Sequence, residues 1–328
     1  MDAVIGQIGP DETAAAPAAR LCVLGSGSRA NCAALHTRSA DGRDAVCLFD
    51  LGYSPRMTQR LLERVGLSLE MVTAVLLTHL DADHCHPGWN CGEGRGGDGR
   101  GGARGGGGNV LPPSASLFLH EGHLQRAYAR GLNGGRLSPF SGGKKGACQS
   151  FTACSAAELI VRPLMMSHDD LGAAVFRVQV GEGAHAPALG YATDLGRVTG
   201  ALIDHFADGN DGHGVDALVI ESNYCPKLQL ASDRPEFLKR RVMGGSGHLS
   251  NNEALEAIEA IAPREHVVLV HLSQQCNDPS LVAALHEGCD YTLTISSQDE
   301  PTRWVPVRRG ERAKVVMKGR GGQLPLWA

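Results

Sequence analysis

Residues 74–87, with the sequence AVLLTHLDADHCHP, constrain this chain more than any other segment. The apolar residues 74–77 predict a buried strand. Four side chains able to bind metal follow it within six residues: His79, Asp81, Asp83 and His84. A tight loop after a strand can direct several side chains toward one point, and imidazoles with carboxylates suit Zn, Mn or Fe. The segment therefore favours a metal site; the alternative is an ordinary polar turn.

Three later segments share this design, because each is an apolar run followed by a histidine or an aspartate. Strands are predicted over residues 160–165, 189–193 and 266–270. The residues that follow them are, in chain order, His168, Asp194 and His271. A carboxylate in the position of Asp194 can bridge two cations by giving one oxygen to each. All of these candidate ligands therefore follow predicted strands.

The motif HLDADH at 79–84 resembles the HxHxDH signature of the metallo-β-lactamase superfamily, with Asp81 in place of the second histidine. The segments SHD, TDLG and VHLS at 167–169, 193–196 and 270–273 occur in the order in which that superfamily supplies its remaining ligands. Further segments resemble its YycJ/WalJ-like branch, which is associated with exonuclease action on DNA: LGSGSRANC at 24–32, ESNY at 221–224, GHLSN at 247–251 and HLSQQCNDP at 271–279. The resemblance spans residues 21 to about 294.

This resemblance implies an α/β fold, the αββα four-layer sandwich, in which two mixed sheets pack between helices. It also implies two divalent metal ions, Zn or Mn and alternatively Fe, that hold a hydroxide between them. The ligands expected for metal one are His79, Asp81, His168 and Asp194. Those expected for metal two are Asp83, His84, Asp194 and His271.

Two residues are the expected catalytic groups, Asp83 and His248. His248, in GHLSN, is expected to contact the scissile phosphate or to supply a proton, since histidine titrates in the useful range. Its alternative role is a structural hydrogen bond within the loop. Asp50, which ends an earlier strand, is predicted to orient ligand imidazoles rather than to bind metal itself.

A predicted helix over residues 235–243 bears on the substrate, because its basic face directly precedes GHLSN. We expect phosphate contacts from Lys239, Arg240 and Arg241, and further substrate contacts from Ser250 and Asn251. A solvated helix face is the competing interpretation. The predicted function is a metal-dependent phosphodiesterase or nuclease, most simply an exonuclease, with DNA as its partner. The alternative is a metallohydrolase of a small thioester, lactone or phosphoester.

Composition sets outer bounds on these hypotheses. With a net charge of −4 over 328 residues, the chain as a whole is not basic, so DNA binding would have to depend on local patches. Ten scattered cysteines without a CxxC pair favour a reduced, cytoplasmic location. No run reaches the ~18 apolar residues of a membrane span. The GSGS turn at 25–28 lacks the lysine of a P-loop, which argues against a nucleotide cofactor.

The predicted organisation is one hydrolase domain over residues 20–328 after a disordered tail at 1–19. A glycine-rich insert at about 90–110 interrupts the domain. It has too few apolar side chains to offset the entropy of ordering, so a flexible loop is expected there. The sequence does not fix the oligomeric state.

Overall fold

A computed structural model describes residues 19–38, 42–89, 111–132, 136–143, 146–154, 157–168, 170–183, 186–208 and 213–309. Residues 1–18 of the predicted tail, the glycine-rich insert and the basic tail beyond Arg309 lie outside these ranges. Ala19, predicted as the last tail residue, instead begins the first strand. None of the described helices is long and apolar enough to cross a bilayer.

The described residues form seventeen strands and seven α-helices. The strands are β1 Ala19–Gly25, β2 Cys32–Arg38, β3 Asp44–Phe49, β4 Val72–Leu76, β5 Ser116–His120, β6 Leu137–Phe140, β7 Gly146–Ala147, β8 Phe151–Cys154, β9 Leu159–Met166, β10 Ala173–Val180, β11 Ala188–Ala192, β12 Ala207–Asp208, β13 His213–Gly214, β14 Ala217–Glu221, β15 His266–Val270, β16 Thr292–Ile295 and β17 Val305–Val307. The helices are α1 Pro55–Arg64, α2 Leu124–Ala129, α3 Gly200–Phe206, α4 Pro226–Ala231, α5 Glu236–Met243, α6 Asn251–Ile261 and α7 Pro279–Leu285.

Two mixed sheets organise the fold. The first has the strand order β17-β1-β2-β3-β4-β5-β6, and the second has the order β16-β15-β14-β11-β10-β9-β7, with β8 also paired to β9. Within them, β3, β4 and β5 run parallel, as do β11, β14 and β15. Because parallel strands end at the same edge of a sheet, the loops that follow them gather at one edge.

The layers follow from where each apolar face is buried. Residues of both sheets form the central core, in which the rings of Phe49 and Tyr191 stack with centroids 4.3 Å apart. Leu61 of α1 belongs to a second cluster on the outer face of the first sheet. Phe206 of α3 and Ile258 of α6 belong to a third cluster on the outer face of the second sheet. The order is therefore helix, sheet, sheet, helix, which confirms the predicted αββα sandwich.

Local signals explain several element boundaries. Helix α1 begins with Pro55, and the Ser54 side chain accepts a hydrogen bond from the backbone N–H of Met57. Helix α6 has a reciprocal capping box formed by Ser250 and Glu253, which is the pattern S-x-x-E.

Candidate metal centre

The candidate ligands lie on loops that leave adjacent strand ends. His79, Asp81, Asp83 and His84 follow β4, His168 follows β9, Asp194 follows β11 and His271 follows β15. Backbone φ is positive at Asp194 and His271, at 55° and 59°, and also at Asp50, at 59°. Residues other than glycine seldom adopt this left-handed conformation, which is concentrated at functional sites. Here it turns the chain sharply at three strand ends around one volume.

The structure brings the two predicted ligand sets together. Ligand atoms of His79, Asp81 and His168 lie within 4.8 Å of one another, and so do those of Asp83, His84 and His271. These triplets are the terminal ligands proposed for metal one and metal two.

Asp194 lies between the two triplets. Its Oδ2 atom is 2.8 Å from Nε2 of His84, and its Oδ1 atom is 3.8 Å from Nε2 of His168 and 3.7 Å from Nε2 of His271. Its two oxygens therefore face histidines of both triplets, which is the arrangement that a bridging carboxylate requires.

Unsatisfied polar atoms show that this site suits a cation. The buried Nε2 atom of His271 has no hydrogen-bond partner, although Asp83 Oδ2 lies 3.6 Å away, beyond normal hydrogen-bond length. Buried polar atoms are almost always satisfied, so an exception needs a physical explanation. Imidazole nitrogens and carboxylate oxygens converging on one volume are the donor set of divalent transition metals. The residues present therefore fit a divalent metal ion.

Asp81 is held in place by a residue that sequence reasoning missed. Its Oδ2 atom lies 3.9 Å from Nε2 of His79, while its Oδ1 atom accepts a hydrogen bond of 2.9 Å from Nη2 of Arg126, in α2. Arg130, one turn later, donates to the backbone carbonyl of Leu80. Helix α2 and the residue after it thus fix the loop that carries Asp81. This is the position at which the chain differs from the HxHxDH signature.

Asp50 takes the supporting position that the sequence predicted. Its carboxylate accepts hydrogen bonds from the backbone N–H and the hydroxyl of Thr78, at 2.8 and 2.9 Å. Its other oxygen lies 2.7 Å from Nδ1 of His84. A proton on Nδ1 leaves Nε2 of His84 as the metal-facing atom, because the hydrogen bond made by one ring nitrogen fixes the role of the other.

Asp50→Asn is expected to weaken metal affinity about 10–100-fold, the usual effect of removing a partner of a ligating histidine. The amide has one oxygen in place of two, so it cannot accept both from Thr78 and from Nδ1 of His84, and the ring of His84 loses its orientation. Competition with a chromogenic chelator measures the affinity. An unchanged affinity in a variant that is folded by circular dichroism would contradict the role assigned to Asp50.

An amide and a hydroxyl group support His271. Asn223 Nδ2 donates to the backbone carbonyl of His271 over 2.7 Å. The backbone N–H of His271 donates to Ser26 Oγ over 2.8 Å. The GSGS turn therefore supports a candidate metal ligand, which gives it a function other than nucleotide binding.

Gly52 is needed for a close approach of two loops. A Cβ atom at this position would lie 1.9 Å from the backbone oxygen of Asp83 and 2.5 Å from the backbone nitrogen of Asn31. Any side chain here would push the loop of candidate ligands away from the GSGS turn.

His248 lies at the site together with Glu221, a carboxylate that was not among the predicted site residues. Nδ1 of His248 is 2.6 Å from Oε1 of Glu221 and 3.6 Å from Oδ1 of Asp194. Glu221 is fully buried, and its Oε2 atom accepts a hydrogen bond from the backbone N–H of Leu195. A sequence signal for Glu221 was available, because it lies at the end of a strand, β14, as Asp194 follows β11.

Charges within the site divide the histidines into two groups. Burial lowers the pKa of His79 well below its ordinary value, so this ring is neutral and ready to bind metal. Burial alone would also lower the pKa of His271, but Asp194, Asp83 and Glu221 outweigh it and raise the pKa to about 10. The pKa of His84 is raised well above normal because Asp194 and Asp50 outweigh the effect of burial.

Metal uptake near pH 7 is therefore expected to release protons. In the metal-free protein His84 and His271 are protonated at this pH, and a metal ion has to displace those protons. Apparent affinity should accordingly rise with pH from neutrality toward about 10, where His271 deprotonates unaided. Calorimetry in buffers of different ionisation enthalpy counts the protons. Uptake without proton release would show that the rings are neutral beforehand.

The predicted substrate residues fall into two groups. Arg240 and Arg241 are exposed on α5, whereas the Lys239 ammonium donates to the backbone carbonyl of Leu230 over 2.7 Å. Ser250 is buried as the cap of α6. Asn251 is also buried; it accepts a hydrogen bond from Ser222 Oγ over 2.8 Å and donates one to Asn277 Oδ1 over 2.9 Å. Substrate binding by Ser250 and Asn251 stays a prediction, and their described contacts favour a structural role.

Comparisons with known proteins agree with the fold. The family model of the metallo-beta-lactamase superfamily matches residues 37–86. Exodeoxyribonuclease WalJ of Streptococcus pneumoniae is 23% identical over 292 residues, covering 85% of this chain and 95% of that protein. The metallo-beta-lactamase fold protein YhfI from Bacillus subtilis has a TM-score of 0.55 at 14% identity, covering 86% of this chain and 98% of YhfI. The short form of human tRNase Z has a TM-score of 0.51 at 14% identity, with the same coverage of each chain.

Proposed function

We propose that this chain is a metal-dependent phosphodiesterase of the metallo-β-lactamase superfamily and that it hydrolyses DNA. The observation that carries the proposal is the pair of ligand triplets with Asp194 between them, next to the basic helix α5. Two of the similar proteins are an exodeoxyribonuclease and a tRNase Z, which by their names act on nucleic acids. They support a polymeric phosphodiester as the substrate.

The protein's own residues have separate tasks in this reaction. One ion would be held by His79, Asp81 and His168, and the other by Asp83, His84 and His271. Asp194 would bind both ions. Two bound divalent cations, Zn or Mn and alternatively Fe, would make water a stronger nucleophile and neutralise charge on the phosphoryl oxygens. Asp83, whose side chain is 28% exposed, can in addition orient the attacking water.

His248 is the proposed proton donor to the leaving oxygen. Its Nδ1 atom is bonded to the buried carboxylate of Glu221, so Nε2 is the atom left to face a substrate. The ring is part-exposed, at 22% of its surface, whereas the histidines of both triplets are largely buried. A carboxylate that orients an imidazole in this way favours its use as a general acid.

A small-substrate metallohydrolase is the second candidate, and the net charge of −4 favours it. A thioester, lactone or small phosphoester would need no basic surface. Helix α5 favours the polymer, because affinity for nucleic acid depends chiefly on neutralised phosphates.

An assay of the metal-loaded protein on four substrates distinguishes the two candidates. They are labelled duplex DNA, labelled single-stranded DNA, a chromogenic phosphodiester and a thioester. The proposal predicts cleavage of DNA that is lost in His248→Ala, since the leaving oxygen then lacks its proton. Turnover of the thioester without any cleavage of DNA would contradict it.

Replacing Lys239, Arg240 and Arg241 together with Ala is expected to weaken DNA binding and to reduce the slope of log affinity against log salt by about two to three. Hydrolysis of the chromogenic phosphodiester should survive, because the metal centre is unchanged. Arg308→Ala is the matched control. This exposed arginine pairs with Glu265, which directly precedes β15, whereas the candidate ligand His271 follows the other end of that strand. If the triple variant and the wild type have equal slopes of log affinity against log salt, the prediction that α5 contacts DNA is wrong.

A further inference from the structure

The segment formed by α4 and α5 exposes an unusual amount of apolar surface. Among the described residues, five large hydrophobic side chains are exposed, and three of them lie here. Phe237 is 72% exposed, Leu230 61% and Leu228 36%. Single exposed apolar residues need no explanation, but a cluster of them marks an interaction site.

Positive charge surrounds these apolar side chains. Lys227, Arg240 and Arg241 are exposed in the same two helices, and the bond from Lys239 to the carbonyl of Leu230 fixes α5 against the end of α4. The acids of this segment are fewer, Asp233 and Glu236, and Glu236 pairs only loosely with Arg240, at 3.8 Å. We call the exposed residues Lys227, Leu228, Leu230, Phe237, Arg240 and Arg241 the α4–α5 patch.

The patch borders the candidate metal centre. Arg234, in the turn between α4 and α5, donates to Ser273 Oγ over 3.3 Å and to Gln275 Oε1 over 3.0 Å. Ser273 is two residues after His271, and α5 itself leads within five residues to His248. A chain lying across the patch would therefore continue into the site.

An aromatic ring beside several cations is the arrangement that proteins use for single-stranded nucleic acid. Bases stack on the ring and phosphates contact the cations. In a duplex the faces of internal bases are covered by their neighbours, so a base can reach such a ring only from a single strand or a frayed end.

We propose that the α4–α5 patch binds single-stranded nucleic acid, with Phe237 stacked on a base and the surrounding cations on the backbone. The substrate that reaches the metal centre is then a single strand or an unpaired end. This inference deepens the proposed function and depends on it.

Binding to a phosphorothioate oligothymidylate tests the proposal, because this single-stranded probe resists hydrolysis by the metal-loaded protein. Phe237→Leu removes the aromatic ring but keeps apolar bulk, and Phe237→Tyr keeps the ring. Phe237→Leu should weaken binding about tenfold, the usual effect of losing one base stack, while Phe237→Tyr should bind like the wild type. Leu281→Ala, an exposed apolar position on α7, is the control for unspecific effects. Fluorescence anisotropy supplies the affinities, with a matching blunt duplex as the second probe.

Each outcome decides a different question. Equal binding by Phe237→Leu and the wild type, in a protein that does cleave DNA, would overturn the stacking inference and leave the proposed function standing. A wild type that binds neither probe and does not cleave unmodified DNA would contradict the proposed function as well. A concentration-dependent dimer that Phe237→Arg dissociates would overturn the inference by assigning the patch to a second copy of the chain.

Discussion

Asp194→Asn is expected to reduce hydrolysis of DNA on the order of a thousandfold and to leave the protein with at most one metal equivalent. The loss corresponds to several kcal/mol of transition-state stabilisation, the scale attributed to correctly placed metal ions. The carboxylate lies between both ligand triplets, with Oδ2 2.8 Å from Nε2 of His84 in one triplet and Oδ1 3.8 Å from Nε2 of His168 in the other. An amide has one oxygen in place of two and carries no charge, so it cannot serve both triplets. Metal content by mass spectrometry and steady-state kinetics measure the two effects.

The metal-free form of this variant needs its own control. Burial opposes ionisation of Asp194, but His271 and His84 outweigh it and hold the pKa of the carboxyl well below its ordinary value. Ionised Asp194 therefore stabilises the metal-free fold above the unfolded-state pKa, and Asn loses that contribution. Circular dichroism must show that the variant is folded, with the exposed Asp290→Asn as the matched substitution. A folded Asp194→Asn protein that retains two equivalents would contradict the bridging role.

The sequence predicts the order and position of the candidate ligands because each follows a strand end, and neighbouring strand ends meet at one edge of a sheet. Local periodicity and a short motif carry that information, as for His79 and His84 after β4. Arg126 was missed because its bond to Asp81 joins positions 45 residues apart, and nothing in either segment marks the pairing. Glu221 was missed for a related reason. Its bond to His248 spans 27 residues and depends on how the loop after α5 packs over β14.

Substrate residues were the least predictable part of the site. The sequence predicts substrate contacts from Ser250 and Asn251 in GHLSN, yet Ser250 caps α6, which the S-x-x-E pattern already indicates. The basic side chains of α5 were identified from the sequence, but the exposure of Phe237 was not. An apolar residue at helical spacing is usually a core residue, and only the packed structure shows that this one faces outward.

Asp81→Ala is expected to lower the metal content from two equivalents to one, with the remaining ion held by Asp83, His84 and His271. Asp81 contributes a hard, anionic oxygen where the superfamily signature has an imidazole, which should shift the preference at this position from Zn toward Mn or Fe. One of its oxygens is already bonded to Arg126, so a single oxygen faces His79. Titration with Mn and with Zn, followed by metal analysis, measures both the number and the preference. One tightly held equivalent, unaltered by Asp81→Ala, would contradict the two-metal proposal.

Arg126→Gln tests whether metal binding depends on how the Asp81 carboxylate is positioned, and not only on its presence. The variant keeps the carboxylate but removes the guanidinium that holds it, so affinity for the first metal should fall about 10–100-fold while the second metal is unaffected. Arg60→Gln, an exposed arginine on α1, is the matched control. If Arg126 only balanced charge, its removal would free an anionic oxygen and strengthen metal binding. A weaker first site in Arg126→Gln therefore supports the positioning role, and a tighter one contradicts it.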